Sequence, residues 1–128
     1  MWKTFSTSEY QTRLKRYVKN RPRELQAVLD NLDTYFGALQ AGVKPLQIKH
    51  GFMHDEGKGV VAIDQKGGGK SLAQTRLYVF LDVNAEILYL FTLGDKKSQK
   101  ADVKTCHAFV DQLRKEGSSG DDQGETAQ

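Results

Sequence analysis

The feature that most constrains this fold is a change of hydrophobic period near Pro45. Before it, apolar residues recur at helical spacing, and the clearest stripe is Leu25, Val28, Leu29, Leu32, Phe36 and Leu39. After it, short runs rich in β-branched and aromatic residues predict strands. Helices followed by an uninterrupted run of strands favour an α+β fold over alternating β-α-β units.

Local signals place the individual elements. Ser6 and Glu9 have the spacing of a capping box, which predicts a first helix over about Thr7–Lys19. Pro22 suits the first turn of a second helix, and Gly42 suits its end. A last helix would place Cys106, Phe109, Val110 and Leu113 on one face. The segments that read as strands are Met1–Phe5, Leu46–Phe52, Val60–Gln65, Thr75–Asp82 and Glu86–Leu93, with a turn at His54–Gly59.

These elements predict an N-terminal helical hairpin packed on an antiparallel sheet of four to five strands, with a C-terminal helix. The expected organisation is a single domain, 1–115, followed by a disordered acidic tail, 116–128. The tail holds Glu116, Asp121, Asp122 and Glu125 and no Lys or Arg, so residues 1–115 keep 19 basic and 12 acidic residues, a net charge of +7. An excess of this size favours partners with phosphate backbones, or an acidic protein.

The sequence also indicates the cellular compartment of the protein. Cys106 is the single cysteine, so no intramolecular disulfide is possible. No apolar stretch approaches the length of a membrane span, and the first residues lack the apolar block of a signal peptide. The expectation is a cytoplasmic protein with no membrane partner.

Common catalytic and metal-binding motifs do not fit. The GGGKS segment lacks a Walker A pattern because Asp64 stands where its first glycine is required. No G-x-S-x-G elbow is present. His50, His54, Cys106 and His107 are the soft metal ligands of the chain, at spacings that do not indicate a zinc site. We expect neither a metal nor a cofactor.

The cations form a more informative pattern. Hairpin geometry should bring Arg76 close to Lys96 and Lys97. Metal-independent RNA cleavage needs fixed cations for the phosphorane and a group that transfers protons. The candidate catalytic residues are Arg76, Lys96, Lys97, Lys49, His54 and Tyr89, and the candidate RNA-binding residues are Arg13, Lys15, Arg16, Lys19, Lys58, Lys66 and Lys70. Ordinary solvated cations at a sheet edge explain the same pattern, and the residues alone leave both interpretations open.

The stretch 60–100 resembles the RelE/ParE superfamily of bacterial toxins, within it the HigB-like branch. The segments that carry the resemblance are VVAIDQ, KGGGKS, TRLYVFLD, EILYLFTL and GDKKSQK. The resemblance implies a RelE-like fold, an antitoxin partner and cleavage of ribosome-bound mRNA by an endoribonuclease (an mRNA interferase). By this resemblance, Arg76 matches the strand arginine of the family, and Lys96 and Lys97 match the basic end of its last strand. Lys49 is a looser match to a basic residue on an earlier strand.

Three other functions remain open at this stage. A ParE-like toxin would inhibit DNA gyrase through protein contacts. A binding module would use the basic first helix on nucleic acid without catalysis. A decayed toxin would keep only the fold.

Overall fold

The computed structural model describes the backbone of residues 1–124 and the side chains of residues 1–116. Within this part the chain forms five strands and three long helices, and a short 3-10 helix, Pro45–Gln47, precedes the second strand. The α+β class is confirmed. The elements in chain order are β1 Lys3–Ser6, α1 Ser8–Asn20, α2 Pro22–Gln40, β2 Met53–Asp55, β3 Val60–Asp64, β4 Thr75–Asp82, β5 Ile87–Asp95 and α3 Gln99–Gly124.

The strands form one mixed sheet in the order β1-β5-β4-β3-β2. β1 runs parallel to β5, whereas the other three neighbouring pairs are antiparallel. The prediction of an antiparallel sheet was therefore wrong for β1. The prediction of an N-terminal helical hairpin was also wrong, because β1 precedes α1 and α2. The chain passes through α1 and α2 before it reaches the other strands, and local sequence patterns do not specify the direction in which β1 meets β5.

Helices cover both faces of the sheet. The cluster around α1 and α2 includes Leu77, Val79 and Leu88 from the sheet, whereas the cluster around Cys106 and Val110 of α3 includes Val60, Ala62, Tyr78 and Phe91. Side chains alternate between faces along a strand, so the two clusters use alternate residues. A β-bulge interrupts this alternation, because Tyr78 pairs with Thr92 and Val79 with Leu90, which leaves Phe91 as the extra residue.

Three local predictions differ from the structure. The predicted strand Leu46–Phe52 is instead the 3-10 helix and a loop, in which Leu46 is 91% exposed. His54, predicted to lie in a turn, belongs to β2. The N-cap of α1 is Thr7 rather than Ser6, and its hydroxyl accepts a hydrogen bond from the Tyr10 amide. In each case the apolar pattern identified the element, but the hydrogen bonds that fix its ends are not visible in it.

α3 extends as helical backbone past residue 115, where the sequence predicts the end of the domain. Side chains after residue 116, and residues 125–128 altogether, lie outside the described residues, so the predicted acidic tail, 116–128, stays a prediction. In the part of the chain that the structure describes, no helix has both the length and the apolar character needed to cross a membrane.

Arg13 of α1 links three layers at the end of β5. β1 pairs with β5 only as far as Leu90. Beyond that point Thr7 Oγ1 donates to the Phe91 carbonyl (2.6 Å), and Arg13 Nη1 donates to the Leu93 carbonyl (2.7 Å). The same Arg13 nitrogen lies 2.9 Å from Asp102 Oδ1 of α3. Side chains of the α1 segment thus satisfy carbonyls that β1 is too short to reach, as buried backbone groups require.

Asp102 is the buried partner in this arrangement. It is 2% exposed, and its second oxygen accepts a hydrogen bond from Ser98 Oγ at 2.6 Å. The carboxylate lies against Gly94 of β5, where a Cβ would overlap it. The absence of a side chain at Gly94 is therefore what allows the first turn of α3 to close onto the sheet.

We predict that Asp102→Ala lowers the free energy of unfolding by about 3 kcal/mol, because Arg13 and Ser98 lose their buried acceptor and only the more exposed Glu9 still binds Arg13. Chemical denaturation measures the change. Asp111→Ala is the matched control on the same helix: Asp111 pairs with Lys58 at 2.8 Å, but their side chains are 58% and 43% exposed. The control should unfold almost as the wild type does. Equal loss in both variants would contradict the role given to Asp102.

Candidate functional site

Three polar side chains from neighbouring strands lie on the sheet face that α3 covers. Asp64 of β3 is directly opposite Arg76 of β4, and His54 of β2 is opposite Ala62. Residues directly opposite each other in a sheet share a face, as do residues two apart in a strand. His54, Asp64 and Arg76 therefore form one row across β2, β3 and β4, which we call the cross-strand row.

Asp64 fixes the orientation of the His54 ring. The distance between His54 Nε2 and Asp64 Oδ2 is 2.6 Å, and the Lys66 amide donates to the other carboxylate oxygen at 2.7 Å. The Asp64 side chain is 11% exposed, whereas that of His54 is 33% exposed. A carboxylate can only accept, so His54 Nε2 is the donor, and in the neutral tautomer of the ring Nδ1 is the nitrogen without a proton. Such an oriented histidine is suited to proton transfer.

Arg76 is held beneath α3 by Glu56. Its Nη1 atom lies 2.6 Å from Glu56 Oε2, and the two side chains are 16% and 14% exposed. His107 of α3 lies over the same acid, with its Nε2 atom 2.7 Å from the Glu56 carbonyl oxygen. The sequence predicts a phosphate-binding role for Arg76; in this structure one side of its guanidinium already binds a carboxylate.

The interior next to this ion pair contains further polar groups. Among the described side chains, Arg76 Nε and Tyr78 Oη are buried without a hydrogen-bond partner. Burial also raises the pKa of Tyr78, so its phenol stays protonated at physiological pH. Cys106 of α3 is fully buried, and burial raises the pKa of its thiol to about 12.

The other predicted catalytic residues are distributed around the row. Arg76 is opposite Gly94, so the backbone leading to Lys96 and Lys97 lies beside it, and both lysines are exposed in the turn before α3. Lys49 is exposed in the loop before β2 and contributes to a shallow groove of about 320 Å³ that also includes His54. Tyr89 lies opposite Phe80, four positions along β4 from Arg76, and is packed among aromatic rings. The structure does not bring Tyr89 to the row.

The predicted RNA-binding residues divide into paired and exposed groups. Arg13 is paired with Asp102 and Glu9, and Lys58 is paired with Asp111. The ammonium group of Lys66 donates to the Gly51 carbonyl at 3.2 Å. The remaining predicted cations have exposed side chains and no ion-pair partner within residues 1–116: Lys15, Arg16, Lys19 and Lys70.

Sequence reasoning missed the two acids of the site, Asp64 and Glu56. Asp64 ends an apolar strand and Glu56 follows the segment MHD, so both have the ordinary appearance of residues at strand ends. The basic side chain that each acid binds is ten or twenty positions away, and only the strand register identifies it. Within the described residues, no group of three or more His, Cys, Asp or Glu side chains is arranged to hold a metal ion.

Comparison with known proteins gives no relative. No protein-family model matches the chain, and no curated protein or solved structure matches it.

We predict that Arg76→Ala destabilises the fold by about 3 kcal/mol, because it leaves Glu56 almost buried without its cation. The loss should be much smaller in the double variant Arg76→Met/Glu56→Gln, which removes both charges and keeps the side chains long. Urea unfolding of the three proteins tests this. A double variant no more stable than Arg76→Ala would show that the unpaired charge of Glu56 is not the cause of the loss.

We also predict that Cys106 does not react with a soluble disulfide reagent in the native protein at about pH 8, because its pKa of about 12 keeps it a thiol. Reaction should be complete within minutes in concentrated guanidinium chloride, which serves as the positive control. Fast labelling of the native protein would mean that α3 detaches readily from the sheet.

Proposed function

We propose that this chain is a toxin of the RelE/HigB type, with a RelE-like fold, that acts in the cytoplasm as a metal-independent endoribonuclease on ribosome-bound mRNA. A cognate antitoxin protein would neutralise it. The observation that carries the proposal is the cross-strand row, which combines a carboxylate-oriented histidine and an arginine on one rigid sheet face. The sequence resemblance to RelE and HigB toxins supports the choice of RNA as substrate.

The row has the groups that this reaction needs. In metal-free cleavage the 2′-oxygen of the ribose forms a bond to phosphorus, and the bond from phosphorus to the 5′-oxygen breaks. One proton leaves the 2′-hydroxyl and one is added to the leaving 5′-oxygen. His54, held by Asp64, would accept the first proton at Nδ1, and the imidazolium form is then suited to donate one. Arg76 and the neighbouring lysines 96 and 97 would stabilise the charge on the phosphorane oxygens.

Substrate binding would use a different part of the molecule. Lys15, Arg16 and Lys19 are exposed on α1, the helix on the opposite face of the sheet. Cations of this kind bind phosphates without reading sequence, and each contact makes the affinity depend more steeply on salt. The contribution of these residues should therefore be to affinity rather than to the chemical step.

A binding module without catalysis is the second candidate function. The 2.6 Å ion pair between Arg76 and Glu56 favours it, because a guanidinium held by an acid has fewer donors for a phosphate. The exposed cations of α1 would then account for the whole activity. The two candidates differ in whether bound RNA is cut.

We expect His54→Gln to lower the rate of mRNA cleavage on programmed ribosomes by about 10²- to 10⁴-fold, the usual contribution of a proton-transfer group. Single-turnover kinetics measures the rate, and circular dichroism checks the fold. His50→Gln is the matched control, because His50 is exposed, stacks on Phe52 at 4.8 Å and lies outside the row. It should cleave at the wild-type rate.

Two results would overturn the proposal. If the wild type binds programmed ribosomes and leaves the mRNA intact, the binding module is the better description. If His54→Gln cleaves as fast as the wild type, the row is not the catalytic site. The double variant Lys15→Gln/Lys19→Gln should retain the cleavage rate at saturating ribosome concentration but weaken binding, with a smaller dependence on salt.

A further inference from the structure

A cleft rich in arginine lies where the C-terminal half of α1 meets the end of β5. Its volume is about 400 Å³, and we call it the arginine cleft. α1 and the residue that joins it to α2 contribute Arg13, Arg16 and Arg21 to its wall, together with Tyr17 and Asn20. Leu93, Gly94, Asp95 and Ser98 form the other wall.

The three arginines of the cleft differ in whether they have an ion-pair partner. Arg13 is bound to Asp102, Glu9 and the Leu93 carbonyl. Arg16 and Arg21 have no ion-pair partner among the described side chains. Asp95 is the acid in the cleft wall, and its Oδ1 atom caps α3 by accepting from the Ser98 amide at 3.0 Å. Two guanidinium groups are thus available, with one carboxylate beside them.

The surroundings of Tyr17 indicate that these charges converge. Burial raises the pKa of the Tyr17 phenol, and Asp95 raises it further, whereas Arg21 and Arg13 lower it. Tyr17 is 9% exposed and forms part of the cleft wall. Tyr17 thus presents a protonated phenol in the cleft wall near Arg21, and such a phenol can donate a hydrogen bond to an anion bound in the cleft.

We propose that the arginine cleft binds the phosphate monoester of a nucleotide, either a free 5′-mononucleotide or the phosphorylated 5′ end of an RNA strand. The planar fork of an arginine can bind two oxygens of one phosphate, and two arginines suit a doubly charged monoester. The volume is at the lower end of the range of small-molecule sites, larger than phosphate alone requires. Asn20 and the second oxygen of Asp95 offer polar partners for the sugar or base.

This inference does not depend on RNA cleavage. The cleft is formed by α1, the residue that joins it to α2 and residues 93–98, and no residue of β2, the strand that carries His54, belongs to its wall. The proposed ligand would bind Arg16 together with Arg21, and Arg21 is not among the site residues predicted from the sequence. A protein without nuclease activity would still have the site, and an active nuclease could lack it.

Calorimetric titration with adenosine 5′-monophosphate tests the proposal, with adenosine and inorganic phosphate as comparison ligands. The wild type should bind the monophosphate saturably and each comparison ligand about tenfold more weakly or less. Arg16→Gln/Arg21→Gln should weaken binding of the monophosphate by about tenfold or more, as expected for loss of charge-assisted hydrogen bonds. Arg23→Gln/Lys104→Gln is the charge-matched control, because both of its residues are exposed and lie outside the cleft.

The source of the phosphate is distinguished with 2′-O-methyl hexanucleotides, which cannot be cleaved at a 2′-hydroxyl. Tighter binding of the 5′-phosphorylated hexanucleotide than of both its 5′-hydroxyl form and the mononucleotide assigns the cleft to an RNA end. Equal binding of the phosphorylated hexanucleotide and the mononucleotide assigns it to a free nucleotide. The proposal is overturned if neither phosphorylated ligand binds, if inorganic phosphate binds as tightly as the mononucleotide, or if the Arg16/Arg21 double variant binds as well as the control.

Discussion

The ion pair between Arg13 and Asp102 determines how the two helical layers sit on the sheet. β1 has four residues and pairs with β5 only to Leu90, so the rest of β5 has a free edge on that side. Arg13 reaches across this edge from α1 to the first turn of α3, at 2.9 Å from a carboxylate that is itself 2% exposed. The cost of burying Asp102 is offset only while both Arg13 and Ser98 bind it. Both candidate sites follow from this arrangement, because it sets α3 over Arg76 and shapes one wall of the arginine cleft.

Charge is distributed differently on the two sides of the sheet. On the α3 side, His54 and Arg76 each bind an acid, at 2.6 Å in both cases. On the α1 side, exposed cations of the first helix have no such partners within the described residues. Paired and partly buried groups have fixed orientations, which is what a reaction centre requires, whereas exposed cations adapt to a flexible phosphate backbone. The net charge of +7 in residues 1–115 is shared between these helical cations and exposed lysines of loops, such as Lys49, Lys96 and Lys97.

The sequence allowed prediction of the α+β class, of the helices α1 and α2 and of the β4–β5 hairpin, because long periodic segments and turn residues are local signals. It did not allow prediction of the parallel β1–β5 pair or of the bulge at Phe91. A strict alternation would place Leu93 on the same face as Phe91, whereas the extra residue turns Leu93 toward α1 and α2. His54 and Arg76 were identified as candidates from their chemistry. Their acids were not, since Asp64 and Glu56 become recognisable only once the register brings them together.

The α3 side of the sheet contains two buried polar atoms that lack a hydrogen-bond partner. Arg76 Nε and Tyr78 Oη are on the same strand, two positions apart and on the same face, and both are buried without a partner among the described residues. Each unpaired buried donor costs about 1–3 kcal/mol. Phe in place of Tyr78 would fill nearly the same volume without that cost, so stability alone does not account for a hydroxyl there. Under the proposed function, this polar interior belongs to a face on which fixed dipoles in a dry environment would stabilise a charged transition state.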